Sequence, residues 1–334
     1  MKNWFHSEYS LVYASIPVVA LVLSACARDV SGRAAKERAA KERAADAATT
    51  DVATTGATAQ AAGDSSTGTT GAVGYASPEN LVYDSVADVY LVANVNGGPV
   101  ARDSNGFISR VAPDGRMLAL KWIDGSHAAT RLDGPKGLAI RGDTLAIADV
   151  GAVRLFNRRT GAPMGVWPVP GELMNDVAFA PDGALYVTDT GPGKGLPNTS
   201  DHDAIYRFGT PPRAVSVVSG SDLAGPDGIV PSDSDIVYAT FGADRVVRIA
   251  HSGTRTNVAT LPGAKVDGLR RLPDGSYVVT SWDAHSVFRL LPDGTRRTEL
   301  TGINAPAGVA YNARRNQLAV TSMKDNRFYL VALK

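Results

Sequence analysis

A single cysteine, Cys26, among 334 residues excludes an intrachain disulfide and argues against a zinc–thiolate site. Aromatic residues make up only 7% of the chain, which speaks against a stacking platform for sugars. Neither sign of charge forms a long block and the formal net charge is +1, so nothing marks a dedicated nucleic-acid surface. A Gly-x-Ser-x-Gly elbow is missing, which disfavours a serine hydrolase, and no phosphate-binding glycine loop of the usual spacing occurs. The mostly apolar stretch 11–24 is too short for a comfortable membrane span.

That stretch follows Lys2 and ends in Leu23-Ser24-Ala25-Cys26, a match to a bacterial lipoprotein cleavage box. Residues 1–25 are therefore expected to be a signal peptide and Cys26 the lipidated residue, held at a membrane by acyl chains. Ala27 after that cysteine is compatible with the periplasmic face of an outer membrane in a diderm cell, and the cell envelope is the expected location. Residues 26–74 read as a tether. Ala34-Ala35-Lys36-Glu37-Arg38 repeats as Ala39-Ala40-Lys41-Glu42-Arg43, which favours a short solvated helix. The Thr/Ala/Gly/Ser composition that follows has too little apolar area to offset chain entropy, so this spacer is expected to be disordered.

Residues 75–334 are long enough for one all-β domain, and a repeat organises them. Glu79-Asn80-Leu81, Lys136-Gly137-Leu138, Asn175-Asp176-Val177, Asp227-Gly228-Ile229, Asp267-Gly268-Leu269 and Ala307-Gly308-Val309 share one pattern at steps of 57, 39, 52, 40 and 40 residues. Each step suits a four-stranded blade, two of them lengthened by insertions, and predicts a six-bladed β-propeller. In the second repeat the strands are predicted at 138–141, 144–148, 152–157 and 163–168. In the fifth they are predicted at 269–272, 276–281, 286–291 and 295–300. Pro-Asp-Gly supplies turns at 113–115, 181–183, 273–275 and 292–294. The last repeat offers three strands, at 309–311, 317–321 and 328–332, so its fourth is expected from 72–76, closing the ring. The second position of each repeat is Gly, Asn or Asp, which suggests a left-handed backbone leading into the innermost strand.

In a propeller the first position of each repeat converges on one mouth of the channel. Glu79, Asn175, Asp227 and Asp267 would bring oxygen atoms there, with Lys136 beside them. Three convergent carboxylates repel one another unless a cation joins them. Hard oxygen donors without His or Cys favour calcium, with magnesium, manganese and zinc as other divalent candidates. Turn-forming Asp and Asn around a solvated channel is the competing explanation.

Glu79-Asn80-Leu81-Val82-Tyr83-Asp84, the Asn175-Asp176 pair, Asp227-Gly228 and Asp267-Gly268 resemble the ligand-bearing openings of the gluconolactonase, regucalcin and luciferin-regenerating-enzyme family. The resemblance spans most of 75–334. It implies a six-bladed propeller with one divalent ion at the channel mouth and lactone hydrolysis. It matches Glu79, Asn175 and Asp267 to ligands of that ion and Asp267 to the general base. Asp227 departs from the asparagine usual there, an extra charge that would tighten ion binding and weaken the ion's pull on a carbonyl.

Long loops at 94–106 and 190–203 and shorter ones around them would form the rim of the mouth. They carry Asn94, Asn96, Arg102, Asp103, Lys194, Asn198, His202 and Asp203, with Asp149, Phe241, Trp282, His285 and Lys324 on the short connections. Asn94, Arg102, Asp149, His202, Trp282 and His285 are the expected substrate contacts. The expected activity is calcium-dependent hydrolysis of a lactone or small ester, with Asp267 taking a proton from water and Lys136 assisting the oxyanion or a substrate carboxylate. A monomer is expected, with the membrane met only through the lipid and no nucleic-acid partner. The alternative is a non-catalytic, membrane-tethered propeller that binds a protein or glycan and uses calcium structurally.

Overall fold

Among the described residues, short runs of Val, Ile, Leu and Tyr broken by Gly, Asp and Pro turns give 24 strands in six four-stranded antiparallel sheets. The computed structural model describes residues 68–70, 74–191, 203–210 and 212–333. The expectations for the signal peptide, Cys26 and the charged repeat of the tether lie outside the described residues. Among the described residues no helix is long and apolar enough to cross a membrane.

Each sheet is one blade of a six-bladed propeller. The innermost strands are Pro78–Asp84, Leu138–Arg141, Met174–Phe179, Pro226–Pro231, Val266–Arg271 and Pro306–Asn312 in blades 1 to 6. The second blade has strands Leu138–Arg141, Thr144–Asp149, Ala152–Asn157 and Pro163–Pro168, within one residue of expectation. At all four Pro-Asp-Gly turns the glycine has a φ between 85° and 93° and donates its N–H back to the residue before the proline. The turn aspartate accepts the N–H two residues on, as in Asp182 with Ala184 at 2.8 Å.

The hydrophobic core lies between blades. Val82, Leu91 and Ile108 of blade 1 meet Leu138, Leu145 and Ile147 of blade 2. Ala146 and Val153 meet Val177 and Val187, and Ile205 and Tyr186 meet Ile229 and Tyr238. Val237 and Val246 meet Leu269 and Val279, and Val278 and Val287 meet Val309 and Val320. Leu81 and Tyr90 meet Ala319 and Phe328, completing the circle. Each fully buried Val, Leu, Ile or Phe among them contributes about 1.5–3 kcal/mol of transfer free energy, so no blade can leave without exposing two cores.

The ring closes through a strand other than the one expected. Gly68–Thr70 pairs antiparallel with Arg327–Ala332, with Gly68 opposite Leu330 and Thr70 opposite Phe328. The edge strand expected at 72–76 is supplied by 68–70 instead, because the backbone at Ala76 and Ser77 is committed elsewhere. The carbonyls of Ala76 and Ser77 accept the N–H groups of Asn96 and Val95 at 3.0 and 3.1 Å, while Ser77 N–H donates to Asn326 Oδ1 at 2.7 Å. Gly74 and Ser77, at φ 79° and 49°, turn the chain into blade 1.

The second position of the repeat also has a different cause from the one expected. None of Asn80, Gly137, Asp176, Gly228, Gly268 and Gly308 has a positive φ. The constraint is closeness of neighbouring strands around the axis. A Cβ on Gly268 would lie 2.5 Å from the Ala307 carbonyl oxygen, and one on Gly308 would lie 2.5 Å from Asn80 Cα. Gly137 and Gly228 face the backbones of blades 3 and 5 at the same 2.5 Å. Where the residue is not glycine, its side chain bonds inward: Asn80 Nδ2 donates to Asp176 Oδ1 at 3.3 Å, and Ile229 N–H donates to Asp176 Oδ2 at 3.0 Å.

Gly268→Ala should therefore destabilise the protein by about 1–3 kcal/mol, because backbone atoms must move. Gly165→Ala, at an exposed strand position where a Cβ meets nothing within 4 Å, should be neutral or stabilising by up to about 1 kcal/mol. Denaturant unfolding of the two variants measures the difference.

Candidate metal centre

Five of the innermost strands carry a register shift at the repeat: between Pro78 and Leu81, Met174 and Val177, Pro226 and Ile229, Val266 and Leu269, and Pro306 and Val309. Two residues on the inner strand oppose one on its partner, Glu79 and Asn80 facing Ala93 between the pairs Pro78↔Asn94 and Leu81↔Val92. Such a bulge re-aims the side chains it contains. Here it takes the first repeat position out of the inter-blade core. In blade 2, Lys136 and Gly137 precede the strand and are held by Lys136 N–H to Ala148 O and Ala148 N–H to Gly137 O, both 2.9 Å.

The bulges bring carboxylate oxygens of Glu79, Asp227 and Asp267 within 4.8 Å of one another. All three residues are buried, with 4%, 2% and 2% of their surface exposed. Burial raises every one of their pKa values, and mutual repulsion adds to it at Glu79 and Asp227, which are pushed well above the carboxylate range. Asp267 is pushed up to about 8, mainly by burial, with Asp176 adding to it and the Trp282 hydrogen bond opposing it. Glu79 Oε2 and Asp267 Oδ1 are buried without a hydrogen-bond partner. Buried acceptors without donors, in a set made only of hard oxygens, fit a divalent cation.

Asn175 stands beside the triad. Its Nδ2 donates to Asp227 Oδ2 and to Thr190 Oγ1, both at 2.8 Å, which leaves Oδ1 as its candidate ligand atom. Lys136 is buried, and its Nζ donates to the carbonyls of Pro99 and Gly134 at 2.7 and 2.9 Å. It thereby ties the 94–106 loop to the mouth. The charges of Glu79, Asp149 and Asp227 favour its protonated form, while burial, the larger effect, lowers its pKa.

The rim divides into residues that face outward and residues that do not. Trp282 belongs to the site itself: its Nε1–H donates to Asp267 Oδ2 at 2.7 Å. Its ring meets Phe241 edge-on, with centroids 5.2 Å apart, and Lys324 Nζ lies 5.6 Å above it. Arg102 and His285 are exposed, Arg102 reaching Val150 O and His285 held in a turn by Ile303 O. His202, Lys194 and Asn198 lie outside the described residues.

Asn94 and Asp149, expected as substrate contacts, are both fully buried instead. Asn94 Oδ1 accepts Ala76 N–H, and its Nδ2 donates to Val92 O and Ser109 Oγ. Asp149 accepts the N–H groups of Asp133 and Gly134 and pairs with Arg154. Each ends the second strand of its blade, as do Asp189, Ser281 and Ser322. At this position a polar side chain binds the backbone of the loop entering the same blade, as Asp189 does with Leu173 N–H and Ser322 with Asn304 O. The signal was present in the sequence as a polar residue closing each second strand.

Residues 112–324 match the model of the SMP-30/Gluconolactonase/LRE-like region. Solved structures of similar fold include XC5397 of Xanthomonas campestris, described as a gluconolactonase, at 17% identity over 78% of this chain and 87% of that one, with a TM-score of 0.61. A putative gluconolactonase is 18% identical over 78% of this chain and 89% of that one, with a TM-score of 0.57. A streptogramin B lyase is 13% identical over 80% of this chain and 97% of that one, at 0.58. A search of curated proteins gives no significant match. At these identities the solved structures establish the fold alone. The family model covers most of the chain and all the inter-blade joints from blade 2 to blade 6, so the protein belongs to the SMP-30/gluconolactonase/LRE-like family.

Proposed function

We propose that the protein is a calcium-dependent hydrolase of a lactone or small ester. The observation that carries this reading is the buried triad of Glu79, Asp227 and Asp267 with two carboxylate oxygens lacking any donor. Glu79, Asp227, Asp267 and Asn175 would hold the cation. Bound there, a divalent ion supplies Lewis-acid polarisation of a carbonyl. Oxygen donors throughout favour calcium over softer-ligand metals.

The chain's own groups account for the proton movements. Trp282 N–H holds one oxygen of Asp267, and the Asp267 carboxylate takes a proton from an attacking water. The water oxygen then bonds to the acyl carbon, the ring C–O bond breaks, and the departing alkoxide recovers the proton, giving a hydroxy acid. Lys136 contributes charge balance and holds the loop at Pro99. Phe241, Trp282 and Lys324 form one wall for the substrate, with Arg102 on the long loop. The similar folds of gluconolactonases and a lyase show that architecture does not choose the reaction, so the choice rests on the site. We further propose that the protein works as a monomer in the cell envelope, anchored through lipid on Cys26.

Calcium should raise the melting temperature relative to chelator by about 2–4 °C for each kcal/mol of binding energy. Asp227→Asn should melt higher than the native protein in chelator, because a buried like charge is gone, and should show a smaller calcium response. A scan of both proteins in both conditions tests this pair of signs.

In a lactone panel, Asp267→Asn should lower kcat by about 10²–10⁴-fold while the circular dichroism spectrum is unchanged. Calcium stabilisation without turnover of any lactone or ester would instead favour a binding propeller with a structural ion.

A further inference from the structure

Three residues past the first repeat position, the innermost strands carry Val82, Ala139, Ala178, Val230, Arg270 and Ala310. Five are apolar and one is arginine. At strand rise these positions lie about 10 Å further along the channel than the acidic mouth. A cavity of about 440 Å³ opens there, lined by Val82, Tyr83, Ala139, Ile140, Phe179 and Arg270 among others.

Arg270 is partly buried and its backbone pairs with Val278, and its guanidinium has no hydrogen-bonded partner among the described residues. Burial pushes its pKa down and the charge of Asp176 pushes it up. Asp176 is itself occupied, accepting Val177 N–H, Ile229 N–H and Asn80 Nδ2. The other guanidinium on this cavity, Arg158, is satisfied by Asp84 at 2.9 Å, Asp143 at 3.2 Å and Gly142 O at 2.6 Å. A guanidinium keeps its charge and five N–H donors, and its fork matches a carboxylate. Val82, Ala139, Ile140 and Phe179 give the wall an apolar side for the body of the same molecule, beside the polar Ser85 and the Asp84–Arg158 ion pair.

We propose that this end of the channel is a second binding site, separate from the acidic mouth, for a small organic monocarboxylate with an apolar or aromatic body. Arg270 holds the carboxylate, and Val82, Ile140 and Phe179 enclose the rest. The site stands independently of the hydrolase reading, because it uses none of the residues at the mouth.

Calorimetric titration of the full chain with benzoate tests it, using neutral benzamide as the control and working in both calcium and chelator. The expected result is one benzoate site of equal affinity in both conditions, with benzamide silent. Arg270→Met, similar in length but uncharged, should weaken benzoate about ten- to hundredfold, the worth of a lost charge-assisted hydrogen-bond pair. Should that variant not fold, Arg270→Lys keeps the charge and loses the fork, and weaker benzoate binding is again expected. Absence of benzoate binding to the native protein would overturn the proposal. So would binding that requires calcium, or binding unchanged in a folded Arg270 variant; Arg270 would then be only a counter-charge to Asp176.

Discussion

The close approach of six innermost strands around one axis is the constraint from which the rest of this protein follows. A Cβ at Gly137, Gly228, Gly268 or Gly308 would stand 2.5 Å from atoms of the adjoining blade, so side chains are excluded at that level. Asn80 and Asp176 are admitted because they bond to each other and to neighbouring backbone. The strands can approach so closely because the bulge beside this position turns the preceding residue out of the inter-blade core. Glycine and bulge together therefore generate a ring of side chains at the mouth, whatever those side chains are.

What this chain places on that ring is an electrostatic problem. Glu79, Asp227 and Asp267 are nearly solvent-free, and Asp176 below them is pushed up to about 6 by burial. Lys136 and Arg270 answer part of the negative charge, but Lys136 Nζ is occupied by two carbonyls and Arg270 lies further down the channel. A divalent cation would bring four carboxylates and two cationic side chains to neutrality. The same arithmetic explains why a buried acidic cluster, expensive by itself, persists in a protein that pairs the buried Arg158 with Asp84.

Much of the architecture was legible in the sequence because blade structure is local. Strand periods, Pro-Asp-Gly turns and repeat spacing all lie within about one blade of sequence, and the strands predicted in the second, fifth and last repeats fall within a few residues of those observed. The acidic triad was legible for a related reason, since equal positions in equal repeats must meet at one axis. Long-range contacts were not legible. Gly268 and Ala307 touch only once neighbouring blades pack face to face, a contact that no local pattern marks. The closing strand at Gly68–Thr70 depends on where Ala76 and Ser77 spend their hydrogen bonds. Asn94 and Asp149 looked like loop residues because their backbone partners, Ala76 and Asp133, come from the segment entering the blade. Trp282 was placed at the rim, but its bond to Asp267 depends on a rotamer that no pattern encodes.

The central claim is that the repeat builds a divalent-cation site at the channel mouth. Calorimetric titration of metal-free protein with calcium tests it most directly, comparing the native chain with Glu79→Gln. The account predicts a single ion per native chain and at least about a tenfold loss of affinity in the variant, since a charged ligand is removed. Calcium binding unaltered by the substitution, or no binding to the native chain, would contradict it.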